Sequence, residues 1–263
     1  MKKKGMVKTE KEIALLREGG KILRETLQAV KDLALEGIRR EVPSEELNKL
    51  AIKMIEKYGG KPSFLGYRVG GTDKKPILYP SALCISKNEE IVHGIPTKDK
   101  VIKEGDLLKL DLGVWYKGLC TDSALTVAIG LVSESAQKIL ETTEKALALG
   151  IGEVREGNTL GDYGYVVQKY IEGQGLAVVR GLVGHGVGYA VHEPPHIPNV
   201  GRRGEGLVLK EGMVLALEPM VAEFSGEIKS GRDGFAFVTA DGGLAGHFEH
   251  TVVVRRNGAE VLT

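Results

Sequence analysis

Two stretches decide the architecture: KEGDLLKLDLGV at 103–114 and KEGMVLALEPMV at 210–221, which align at a shift of 107 residues with six of twelve positions identical. An acid falls at the same place in each, Asp111 and Glu218. Each copy also carries a second acid in an apolar strand context, Asp122 in CTDSALTVAI and Glu249 in HFEHTVVV. Shared order and shared acids predict a duplicated half with a site between the copies.

Working outward, the same programme is written twice. Ile13, Leu16, Ile22, Leu23, Leu27, Val30 and Leu33 recur at helical spacing and predict a long amphipathic helix from Thr9 to about Leu35. Ser44 is the expected N-cap of a second helix through Lys57, and Gly59-Gly60 its stop. Residues 61–100, with four prolines, read as short strands and loops. Asp106–Val114 and Thr121–Ile129 then predict a hairpin centred near Tyr116 and Lys117. After Gly130 come helices over Ser133–Leu149 and from an Asn158 or Thr159 cap to Ile171, followed by a Gly-rich strand region. The expectation is one α+β catalytic domain, 1–263, of half-repeats spanning roughly 9–130 and 131–263.

Composition narrows the function classes. With 36 Lys plus Arg against 35 Asp plus Glu the net charge is +1, so no global field draws in DNA or an anionic membrane. No stretch reaches the roughly 18 uncharged residues of a membrane helix, and Ile13–Leu16 is too short for a signal-peptide core after the basic start. Cys84 and Cys120 sit in apolar stretches and read as reduced, buried thiols, so the expected location is cytoplasmic. Lys74, Lys75 and the N-terminal lysines are read as solvated surface.

The chemistry lies with the acids. Antiparallel pairing across the predicted hairpin sets Asp111 and Asp122 nearly opposite, with Cβ atoms about 5 Å apart. Glu218, in a nearly wholly apolar strand, and Glu249, ahead of TVVV, are expected to be buried or partly buried. Buried carboxylates need partners or take up protons. Lys109 is the one cation in these strands, whereas divalent ions satisfy several carboxylates together. His185 and His192, in GHGVGYAVHEPPHIPN, add either a nitrogen ligand or a proton carrier. The HEPPH string at 192–196 fits the H-E-x-x-H zinc pattern by letter, but Pro194 and Pro195 forbid the helix that motif requires. Four carboxylates and one His are too many ligands for one ion and suit two, with hydrolysis as the natural chemistry.

The ordered set Asp111, ten residues, Asp122, then GHGVGYAVHEPP, LEPM and FEHTVVV resembles the type I methionine aminopeptidases over nearly the whole chain. The resemblance implies the pita-bread fold, with duplicated halves about a pseudo-twofold and a curved antiparallel sheet backed by helices. It implies removal of the initiator Met from nascent proteins and from peptides with a small second residue. Two divalent ions (Co, Mn or Fe) would be held by Asp111, Asp122, His185, Glu218 and Glu249, with Asp122 and Glu249 bridging both and Glu218 handling the proton of the attacking water. His93, in VHGIP, and His192 match residues that contact substrate and intermediate, and the Met pocket falls to Phe64, Tyr67, Tyr79, Cys84, Val191 and Phe235. The implied partner is a peptide or nascent-chain N-terminus, with transient ribosome contact and a monomeric state. Between Tyr67 and Cys84 the segment RVGGTDKKPILYPSAL is longer than in common bacterial forms, and its role is open. Competing readings are an Xaa-Pro aminopeptidase or dipeptidase of the same fold, and a metal-free peptide-binding module.

Overall fold

The computed structural model describes residues 5–263, so Lys2, Lys3 and Lys4 lie outside it. Helix α1 (Glu10–Leu35) starts from a capping box in which Thr9 Oγ1 accepts the Glu12 amide and Glu12 accepts the Thr9 amide. Helix α2 (Ser44–Lys57) differs from expectation at its first residue. Pro43 occupies the N-cap position, while Ser44 Oγ donates to the Thr97 carbonyl and accepts the Thr97 amide, tying the helix to the following loop. Helices α3 (Glu134–Gly152) and α4 (Leu160–Gly173) begin from Ser133 and Thr159 caps, so Thr159 rather than Asn158 is the cap.

The segment at 61–100 contains a hairpin, β1 (Arg68–Thr72) with β2 (Lys75–Leu78), and the strand β3 (Leu83–Lys87). Strands β4 (Leu107–Tyr116) and β5 (Leu119–Ala128) follow, then β6 (Gly184–Gly186), β7 (Glu193–Ile197), β8 (Val214–Leu217), β9 (Glu249–Arg255) and β10 (Gly258–Val261). The nine-stranded sheet runs β7, β6, β8, β9, β5, β4 and the short strand Lys61–Pro62, with β10 added to β9 and β3 to β4. Glu193–His196 of the HEPPH string lie in strand β7, with His192 just ahead of it, so the string is not the helix that the zinc motif needs.

Strict alternation splits this sheet into two chemistries. Leu108, Leu110, Leu112 and Val114 of β4 join Val127 of β5 under Leu23, Leu27 and Val30 of α1 and Leu47, Ala51 and Ile55 of α2. Leu215 and Leu217 of β8 and Val252 and Val254 of β9 pack with Ile139 and Leu147 of α3 and Val167 and Ile171 of α4. One sheet face is thus sealed by two helix pairs, and the alternate residues, including Asp111, Asp122 and Glu249, project from the other. Among the described residues no helix is long and apolar enough to cross a membrane. Cys84 and Cys120 are free and buried.

The β4–β5 turn corrects the expected centre. Tyr116 pairs with Leu119 around Lys117-Gly118, whose φ values of 48° and 83° suit a two-residue hairpin turn and are cheap for Gly118. Asp122 therefore faces Gly113, and Asp111 faces Ala124. The two aspartates are diagonal neighbours, with the wider spacing of about 7–8 Å typical of that relation.

Candidate functional site

Strand register arranges the acids in two adjacent rows. The first runs Cys84–Asp111–Ala124–Glu249 across β3, β4, β5 and β9. Glu218 continues it, one residue beyond the last β8–β9 pair, Leu217 with His250. The second row runs Gly113–Asp122 and then, across β9, β8 and β6, Thr251–Ala216–His185. Thr251 joins the two segments, its Oγ1 accepting the Asp122 amide at 2.9 Å and donating to the Asp122 carbonyl at 2.7 Å. The intervening positions are Gly, Ala or Thr, which leaves open space above the sheet between the carboxylates.

That space is a cavity of about 480 Å³ lined by all five residues expected to hold metal, with His93, His192, Phe64, Tyr67, Tyr79, Cys84 and Phe235. Val191 is the exception to the expected pocket. It is 2% exposed and belongs to the same apolar cluster as Phe64, Tyr79 and Cys84, but it does not line the cavity. Glu218 also departs from expectation: β8 ends at Leu217 and the next strand starts at Met220, so Glu218-Pro219 is the break between two sheets. Its backbone carbonyl accepts from Asn199 Nδ2 at 2.9 Å, and Asn199 Oδ1 in turn accepts the Tyr163 hydroxyl at 2.8 Å.

The electrostatics show what the cavity lacks. Asp111, Asp122 and Glu249 are nearly inaccessible, and Asp111 Oδ1 and Glu249 Oε1 are buried with no hydrogen-bond partner among the described residues. Burial pushes the Asp111 carboxyl up to about 7 and Glu218 up to about 8. It drives Asp122 and Glu249 well above the carboxylate range, and the neighbouring acids push the same way. His185 is pushed down to about 3 by burial and is neutral. Its Nδ1 lies 3.0 Å from the Gly186 carbonyl, which can only accept, so Nδ1 carries the proton and Nε2 presents a lone pair. That lone pair faces Glu218 Oε1 at 3.5 Å and Glu249 Oε1 at 4.0 Å. Acceptors aimed at acceptors are stable only around protons or a cation. Ligand atoms of Asp122, His185 and Glu249 lie within 4.8 Å of one another, and Asp111 and Glu218 face the same space. An oxygen-rich set with one imidazole suits hard or borderline divalent ions.

The other two histidines have distinct supports. Burial pushes His93 down to about 4, its φ is +62°, and its ring meets Phe237 with centroids 5.8 Å apart. A left-handed backbone at a non-glycine residue stores strain and recurs at functional positions. His192 Nδ1 lies 2.8 Å from Tyr67 Oη, and its ring centroid is 4.4 Å from that of His185.

One residue escaped the sequence analysis. His247 is 1% exposed, neither ring nitrogen has a hydrogen-bond partner among the described residues, and Nε2 lies 3.3 Å from Glu218 Oε2. Its only sequence signal is a His two positions before Glu249, at the end of a short strand. Replacing it with Leu removes the polar neighbour behind Glu218. We expect kcat for the metal-loaded protein to fall about tenfold or more, with KM nearly unchanged, and steady-state kinetics checks this. An unchanged kcat would mean that Glu218 does not depend on His247.

Comparison with known proteins places this geometry. The model of metallopeptidase family M24 matches residues 14–256. A methionine aminopeptidase of Clostridium perfringens is 42% identical over 258 residues, covering 98% of both chains. Methionine aminopeptidase 1 of Bacillus subtilis is 39% identical, covering 97% of this chain and 98% of the relative. Among solved structures, the methionine aminopeptidase of Thermotoga maritima superposes with a TM-score of 0.91 at 39% identity, covering 98% of each chain. A Pyrococcus horikoshii prolidase matches with a TM-score of 0.74 at 23% identity, over 63% of its length, and shares the fold alone.

Proposed function

Since the chain belongs to metallopeptidase family M24, and relatives that it matches over their full length are methionine aminopeptidases, we propose that it hydrolyses the N-terminal methionine from nascent proteins and peptides whose second residue is small. The observation that carries this is the cavity itself: orphaned carboxylate oxygens and an imidazole lone pair at its floor, beside an aromatic wall.

Asp111, Asp122, His185, Glu218 and Glu249 would hold two divalent ions. Bound there, the ions would polarise the scissile carbonyl and lower the pKa of water. Glu218, between His185 and His247, takes up the proton of the attacking water at its carboxyl and returns it to the leaving amine. A hydrogen bond of 2.8 Å joins Tyr67 Oη and His192 Nδ1; with the hydroxyl donating, His192 carries its proton on Nε2, which donates to the carbonyl oxygen as charge develops there. His93, kept neutral by burial, contacts the substrate backbone. Phe64, Tyr79 and Phe235 form an edge-to-face stack, with centroids 6.5 Å and 5.7 Å apart, and with Cys84 they receive the methionine side chain. A thioether suits such a wall through sulfur–aromatic contact.

The test is a peptide panel with Mn, Fe or Co added to the purified protein. Met-Gly-Met should release methionine, and Xaa-Pro peptides should be poor substrates. Faster cleavage of Xaa-Pro peptides would transfer the chain to the proline-directed branch of the fold.

A further inference from the structure

The segment whose role the sequence left open, Arg68–Leu78, forms the rim of the catalytic cavity. Its hairpin projects from a base at which the Tyr79 amide donates to the Tyr67 carbonyl at 2.8 Å and the Gly66 amide to the Tyr79 carbonyl at 2.9 Å. Arg68, Val69 and Ile77 of the hairpin line the cavity together with Tyr67 and Tyr79. Consecutive residues of a regular strand point to opposite faces. Here the register shifts between Arg68, opposite Leu78, and Gly70, opposite Ile77, so Val69 is an extra, bulged residue. A bulge re-aims a side chain, which is how neighbours Arg68 and Val69 both reach the same cavity.

The hairpin is also held in shape. Arg68 donates from Nη1 to Asp73 Oδ1 at 2.7 Å, from Nη2 to the Gly71 carbonyl at 3.1 Å and from Nε to the Gly70 carbonyl at 3.4 Å. Asp73 lies at the tip, so the guanidinium staples the rim to its own turn. Despite this order the rim is apolar and open to water, with Val69 49% exposed and Ile77 52% exposed. Exposure orders the cavity from floor to mouth: Asp111, Asp122, Glu249, Cys84, Phe64 and Tyr79 are buried, Glu218 is partly buried, and Val69 and Ile77 stand at the opening.

We propose that this hairpin is a specificity element that grips the third and fourth residues of the substrate, favouring apolar side chains through Val69 and Ile77. The proposal rests on the aminopeptidase function argued above. With the N-terminal residue on the floor, an extended peptide advances about 3.3 Å per residue, so its third and fourth residues leave through the mouth that the hairpin borders. Continuity of the hairpin with the catalytic cavity identifies the substrate, rather than a separate partner, as the occupant of this face.

The experiment compares kcat/KM of the Mn-loaded enzyme on Met-Ala-Leu-Leu and Met-Ala-Gly-Gly. Native protein should favour the leucine peptide about tenfold, the scale of covering part of one leucine side chain. The Val69→Ser, Ile77→Ser double variant should bring that ratio below about twofold. Leu78→Ser should leave it near the native value, since Leu78 is exposed on the same hairpin but does not line the cavity. Melting temperature and bound metal check that each variant is folded and loaded. Equal rates on the two peptides with native enzyme, or a ratio preserved in the double variant, overturns the proposal. So does a preference for Met-Ala-Asp-Asp, which would assign the rim to Arg68, Lys74 and Lys75. Failure of native enzyme to release methionine from any of these peptides would instead sink the aminopeptidase function itself.

Discussion

Glu218→Gln should lower methionine release by about a thousandfold or more, because proton transfer by a positioned group is worth about 10² to 10⁴ and a ligand is lost with it. The amide is nearly isosteric, and the backbone of Glu218 is fixed by Asn199 and Tyr163 rather than by its own carboxyl, so the variant should fold. What changes is chemistry. A glutamine cannot take up the proton of water, and its oxygen is a weaker partner for a cation than the carboxylate beside His185 Nε2 and His247 Nε2. Initial rates should be read together with metal content. Near-native kcat with metal bound would show that another group handles the proton.

The second large effect is a pH-dependent gap between metal-free and metal-loaded stability. In the metal-free fold burial raises Asp111 to about 7 and Glu218 to about 8, with Asp122 and Glu249 also raised. A carboxyl raised in the folded state contributes stability that is complete below its unfolded pKa, near 4, and is lost as pH rises through the folded value. Burial depresses His185 to about 3 and His93 and His247 to about 4, the opposite case. Their contribution is complete above about 6.5 and is lost as pH falls toward 4. The two groups oppose each other between about pH 4 and 6.5; above 6.5 the cavity carboxyls act against Lys109, which burial lowers to about 7 and whose contribution grows as pH rises, but which does not line the cavity and is common to both forms. The cavity acids should therefore cost the metal-free protein stability from pH 6.5 to 8, by about 1.4 kcal/mol per pH unit for each carboxyl still protonated, a cost that metal binding removes. Divalent metal binds the deprotonated ligands and strengthens over the same range. Melting with chelator and with Mn should show a gap wider by about 5 °C or more at pH 8 than at pH 6.5. A gap that did not change with pH would mean that the acids are not the metal ligands.

Much of this was visible in the chain because both periodicities are strong. The apolar spacing of α1 and α2 fixes which faces they bury. Alternation in LLKLDLGV sends Leu108, Leu110 and Leu112 to the helices and leaves Asp111 on the other face. A turn centre misplaced toward Tyr116 was enough to turn a diagonal pair of aspartates into a direct one. Val191 shows the limit of reading pockets from neighbours: it flanks His192 and shares the apolar cluster of Phe64, Tyr79 and Cys84, yet it does not line the cavity. His247 gave no pattern, since its importance comes from a contact with Glu218, 29 positions away, across a sheet break. The hairpin at 68–78 is too rich in Gly and too irregular to show period two, because its bulge breaks the alternation that would have revealed it.

Anomalous diffraction from a crystal soaked in Mn would show whether the carboxylates and His185 hold metal together. Two peaks should lie inside the cavity, contacted by oxygens of Asp111, Asp122, Glu218 and Glu249 and by Nε2 of His185. No peak there, or manganese only on the outer surface while the carboxyls remain protonated, would contradict the account.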